Sequence, residues 1–68
     1  MCLSKVYADK KREDSILVPE AASLVERGGA VEVKTLFGES TRFDGYAIRE
    51  VDLMKNYVVL EKRDADNE

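Results

Sequence analysis

The sequence predicts an all-β fold: a small, strongly bent antiparallel sheet or open barrel of about five to six short strands. Three observations predict it. Apolar and polar residues alternate at period two along most of the chain, glycine and Asx-containing turns divide the alternating runs, and only one segment carries helix signals.

Cys2 to Ala8 opens the series. Leu3, Lys5 and Tyr7 fall on one face and Cys2, Ser4, Val6 and Ala8 on the other. Asp9 to Asp14 reads as a charged turn, and Ser15 to Val18 resumes as a short strand. From Pro19 to Gly28 the pattern breaks. Proline at the start and glycine at the end are the usual helix asymmetry, but the segment is too short to stand as a helix alone. It predicts one helical turn near Pro19 to Ala22, then a strand from Ser23 to Arg27. Gly28-Gly29 is a hairpin signal, because glycine accepts the positive φ of tight hairpin turns. Ala30 to Phe37 alternates most clearly, with Val31, Val33, Thr35 and Phe37 on a core face and Glu32 and Lys34 on the other. Gly38-Glu39 closes that strand, Ser40 to Phe43 returns, and Asp44-Gly45 marks a turn or bulge. Tyr46 to Leu53 continues as strand, Lys55-Asn56 turns, and Tyr57 to Glu61 is the final β-rich run. So many short strands imply a strongly bent sheet or an open Sm-like barrel, whose edge strands offer a surface to a second copy. Residues 1–61 read as a single β domain, and residues 62–68 as a flexible acidic tail with nothing to bury.

At 68 residues the chain forms one domain with a marginal core. Scaffolds this small commonly add a disulfide, a metal or a second subunit. An internal disulfide is impossible, because Cys2 is the only cysteine. The net charge is −3, from 11 Lys and Arg against 14 Asp and Glu. The single basic run, Lys10-Lys11-Arg12, is followed at once by Glu13-Asp14. Such a chain lacks the positive field that drives nucleic-acid affinity, so a nucleic-acid partner is disfavoured. No stretch approaches the ~20 apolar residues of a membrane span, and no apolar signal region opens the chain. A lone thiol without an export signal predicts a cytoplasmic, reducing setting.

Histidine is absent, which removes the commonest general base and metal ligand. Neither a P-loop nor a G-x-G-x-x-G motif occurs, and Asp64 to Glu68 lacks the turn glycine of a calcium loop. The carboxylates read as solvated faces of alternating strands, so no catalytic residues are assigned. Phe37 and Phe43 read as core residues, with no RNP-like string joining the aromatics for base stacking.

Cys2 is the residue that stands out. A free cysteine is usually a small buried hydrophobe, but at position 2 it sits beside a chain terminus that supplies a second ligand. With Met1 removed, the amine and sulfur of Cys2 close a five-membered chelate. With Met1 retained, its amine, the Cys2 amide nitrogen and the Cys2 sulfur are available in series. Two chains meeting near their N-termini would offer two nitrogens and two sulfurs. Square-planar nitrogen/sulfur sets suit Ni(II) or Cu(II), and thiolate also admits tetrahedral Zn(II).

Three stretches carry a resemblance: Met1-Cys2-Leu3-Ser4-Lys5-Val6-Tyr7, the string GGAVEVKTLFGE from Gly28 to Glu39, and Ala47-Ile48-Arg49-Glu50-Val51-Asp52-Leu53. Together they resemble the CooT family, small proteins associated with carbon monoxide dehydrogenase maturation, over nearly all of the chain but the acidic tail. The resemblance implies a small β fold, a homodimer and one Ni(II) at the dimer interface held by Cys2 of each chain. It implies a metallochaperone-like accessory role, with no catalysis of its own, toward carbon monoxide dehydrogenase or its maturation proteins. Family members have also been labelled predicted RNA-binding proteins. That alternative, a small β-barrel binding RNA, runs against the charge balance, and a metal-free interaction domain is the other rival.

Overall fold

The structure, a computed structural model, describes residues 3–9 and 13–63. Six strands form one sheet: β1 (Ser4–Ala8), β2 (Ile16–Arg27), β3 (Ala30–Thr35), β4 (Ser40–Asp44), β5 (Tyr46–Asp52) and β6 (Tyr57–Lys62). A single 3-10 turn, Glu13–Ser15, leads into β2. The lateral order is β4-β3-β2-β1-β6-β5. The all-β expectation is borne out, with one correction. Neighbours are antiparallel except β1 and β6, which run parallel from Lys5↔Tyr57 to Ala8↔Leu60, so the sheet is mixed. Alternation marks strands but says nothing about which distant strand each one meets.

The expected helical turn at Pro19 to Ala22 is not there; those residues lie inside β2. The break in pattern is instead a bend made of β-bulges. Between Val6↔Val18 and Ser4↔Ala21, Pro19 and Glu20 oppose Lys5 alone. Between Ala21↔Thr35 and Ser23↔Lys34, Ala22 is an extra residue against β3. A bulge tolerates proline's missing N–H and sharpens the twist of the strand carrying it. β2 therefore pairs with β1 through its first half and with β3 through its second, overlapping only at Ala21.

This bend curls the sheet. β4 and β5 are its two edges, yet only Gly45 separates them in the chain. Gly45 takes φ +78°, its N–H donates to the Gly29 carbonyl at 3.0 Å, and its carbonyl accepts from the Arg63 N–H at 2.6 Å. The Glu26 carboxylate of β2 accepts the Ile48 N–H of β5 at 3.0 Å and pairs with Arg63 at 3.5 Å. No β4–β5 ladder forms among the paired strands, so the barrel is open. At the β2–β3 hairpin Gly28 and Gly29 both have positive φ, +58° and +76°, as the sequence predicts.

Val6, Val18, Ala21, Val31, Val33, Val58 and Leu60 fill the inside of the curl, with Phe43, Tyr46 and Ile48 packed against them. Phe43 and Tyr46 meet edge to face, centroids 6.2 Å apart, across the Gly45 corner. Phe37 departs from the expected core face: it is 75% exposed. The reason is Thr35, whose Oγ1 accepts from the N–H groups of Phe37 and Glu39, each at 3.3 Å. The strand ends there, and Leu36-Phe37 belongs to the turn.

Candidate functional site

Met1 and Cys2, the two residues singled out as ligands, lie outside the described residues, as do Lys10-Lys11-Arg12 and residues 64–68. What the structure does place is the strand that follows. Ser4 opens β1 two positions after Cys2, and β1 lies in the interior of the sheet between β2 and β6. The start of β1 is anchored on both sides: Ser4 faces Ala21, and the Lys5 N–H donates to the Asn56 carbonyl at 3.1 Å. Among the described residues no group of three or more His, Cys, Asp or Glu is gathered for a metal.

Alternation along β1 sends its side chains to two different depressions. Ser4 borders a small one of about 170 Å³ with Ala21, Ala22, Ser23, Leu24 and Val58, where β2 bends away. Leu3, Lys5 and Tyr7 point to the opposite face and line an open groove of about 350 Å³ with Pro19, Lys55, Asn56 and Tyr57. Tyr7 is buried, and the half-buried Tyr57 ring meets it edge to face, centroids 6.1 Å apart.

Hydrogen bonds hold this groove in shape. The Tyr57 hydroxyl donates to Glu50 Oε2 at 2.6 Å. That bond to a carboxylate, with partial desolvation and the negative charge of Glu50 and Asp52 behind it, pushes the Tyr57 phenol up to about 12. In the turn from β5 to β6, Asp52 Oδ1 accepts from the N–H groups of Met54 at 3.0 Å and Lys55 at 2.8 Å. This Asx turn presents Lys55 at the groove wall and leaves Leu53 and Met54 almost bare at the tip, 84% and 91% exposed. Asn56 completes the turn with φ +59°, a left-handed conformation asparagine tolerates better than most residues.

Sequence reasoning missed the groove. Its two lysines are 50 positions apart in the chain, and only the parallel β1–β6 pairing brings them to one wall. The available signal is weak: Lys5 shares a strand face with Leu3 and Tyr7, and Lys55-Asn56 marks a turn. No helix among the described residues is long and apolar enough to cross a membrane.

Compared with known proteins, residues 1–61 match the family model described as CO dehydrogenase accessory protein CooT. No curated protein matches the chain.

Proposed function

The chain belongs to the CooT family of CO dehydrogenase accessory proteins, and from that premise we propose that it binds Ni(II) reversibly as cargo and passes it to a client in carbon monoxide dehydrogenase maturation. The observation that carries this reading is the extent of the family match, which includes Cys2 and the segment leading into β1. The donor chemistry agrees with it. With one cysteine and no histidine in the sequence, and no carboxylate cluster among the described residues, the thiolate of a nitrogen/sulfur set comes from Cys2, with the nitrogens of Met1 and Cys2 next to it in the chain. A single chain then offers at most three donors, short of a four-coordinate shell. A homodimer pairing two Cys2 residues supplies two sulfurs and two nitrogens, a set suited to square-planar Ni(II). The role is accessory: metal is held and released, and no covalent step is assigned to the protein.

The test is a Ni(II) titration of reduced, tag-free protein with a native N-terminus, following thiolate-to-nickel charge-transfer absorption. Mass spectrometry of the sample reports whether Met1 is retained. A saturable band at about one nickel per two chains, abolished in Cys2→Ala, is the expected outcome. A band of equal strength in Cys2→Ala sinks the proposal.

A further inference from the structure

We propose that the groove lined by Leu3, Lys5, Tyr7, Pro19, Lys55 and Tyr57 binds a short acidic segment of a protein partner. Lys5 stands on β1 and Lys55 on the β5–β6 turn, both are exposed, and both line the same 350 Å³ depression. Neither ammonium has an ion-pair partner among the described residues. The nearby carboxylates accept hydrogen bonds from neutral donors, Glu50 from the Tyr57 hydroxyl and Asp52 from the amides of Met54 and Lys55, and neither is ion-paired to Lys5 or Lys55. In a chain of net charge −3, two lysines that line one cavity and have no ion-pair partner among the described residues are placed to pair with an anion.

The rest of the lining narrows the kind of anion. Leu3, Pro19 and the Tyr7–Tyr57 pair add a smaller apolar and aromatic part to a mostly polar lining, which suits a peptide whose main contacts are carboxylates. Size agrees, since about 350 Å³ is at the small end of ligand sites. A polyanion fits less well: two lysines neutralise few phosphates, and the chain's net negative charge opposes a longer strand. The groove lies over paired strands, β1 and β6, so the segment is held by side chains and not by extending a sheet edge. Nothing here depends on the nickel reading, because none of the lining residues is an assigned ligand.

The experiment selects a random dodecapeptide display library on the full chain, then synthesises the enriched peptides and titrates them by fluorescence anisotropy. Enrichment of Asp- and Glu-rich sequences is expected. Affinity should weaken at least about tenfold in Lys5→Glu/Lys55→Glu, each exposed pair lost being worth a few-fold and each reversal adding repulsion. Circular dichroism checks that this variant is folded. If it is not, Lys55→Gln on the exposed turn replaces it, with about a threefold loss expected. Binding should persist in Cys2→Ala, and any nickel band should persist in the lysine variants, so the two proposals fail separately. Failure to enrich acidic sequences overturns the inference, as does affinity indifferent to the lysine substitutions. Displacement of the peptide by equimolar oligodeoxythymidine would reassign the groove to nucleic acid and overturn it too.

Discussion

Gly45→Ala isolates the strain at the corner where the two edges of the sheet are joined. A Cβ built on Gly45 meets no atom within 4 Å, so the substitution creates no clash. What remains is the backbone. At φ +78° an L-residue is disfavoured by about 1–2 kcal/mol. Alanine also restricts the unfolded chain, which returns roughly 0.4–1 kcal/mol. The net loss is about 1 kcal/mol, out of a total stability on the order of 3–10 kcal/mol for a domain this size. That lowers the melting temperature by about 4–8 °C. Gly45→Pro is the contrasting case, because it also deletes the N–H that donates to Gly29 and forces φ near −65°. It should leave no cooperative transition. Urea and thermal unfolding of the three proteins, followed by far-ultraviolet circular dichroism, give the comparison. An unchanged melting temperature in Gly45→Ala would refute the positive-φ corner. A loss of several kcal/mol would refute the open space around it.

Two further outcomes follow from described contacts. The Tyr57 phenol, raised to about 12 by Glu50, should titrate above the ordinary tyrosine value of about 10 in an ultraviolet titration read as the difference from Tyr57→Phe, and Glu50→Gln should return it toward 10. Because the folded value lies above the unfolded one, its contribution to stability is full below about pH 10 and disappears as the pH rises through about 12. A Tyr57 that titrates near 10 would refute the bond to Glu50. Phe37→Ser should change stability by no more than about 0.5 kcal/mol in urea unfolding, since the ring is 75% exposed. A loss above 2 kcal/mol would return Phe37 to the core.

What could be read in advance was local. Gly28-Gly29, Gly38, Gly45 and Asn56 all mark turns in the structure, each with positive φ, and Ala30 to Thr35 needed only its own alternation. The failures share one origin: they depend on partners elsewhere in the chain. Pro19 to Ala22 breaks the alternation, and only the registers against β1 and β3 show the break to be a double bulge and not a helical turn. Phe37 continues the alternation of β3 in sequence, but a side-chain bond from Thr35 ends the strand before it. The site divides the same way. Cys2 stands out because the composition leaves no other thiol and no histidine, whereas the lysine groove exists only once β6 lies beside β1.

That central parallel pair also determines when the chain can fold during synthesis. Val6 meets Val58, 52 positions later, so the interior of the sheet is completed only by β6, the last strand in chain order. While a ribosome still holds the segment from Tyr57 onward, β1 lacks one of its two neighbours and half of its ladder bonds. Closing so large a loop is entropically slow compared with forming the β2–β3 hairpin. The segment carrying Cys2 therefore leaves the ribosome well before β6 but leads into a strand that is seated late. Any site built at that end assembles after translation of β6, on the folded product and not on the nascent chain.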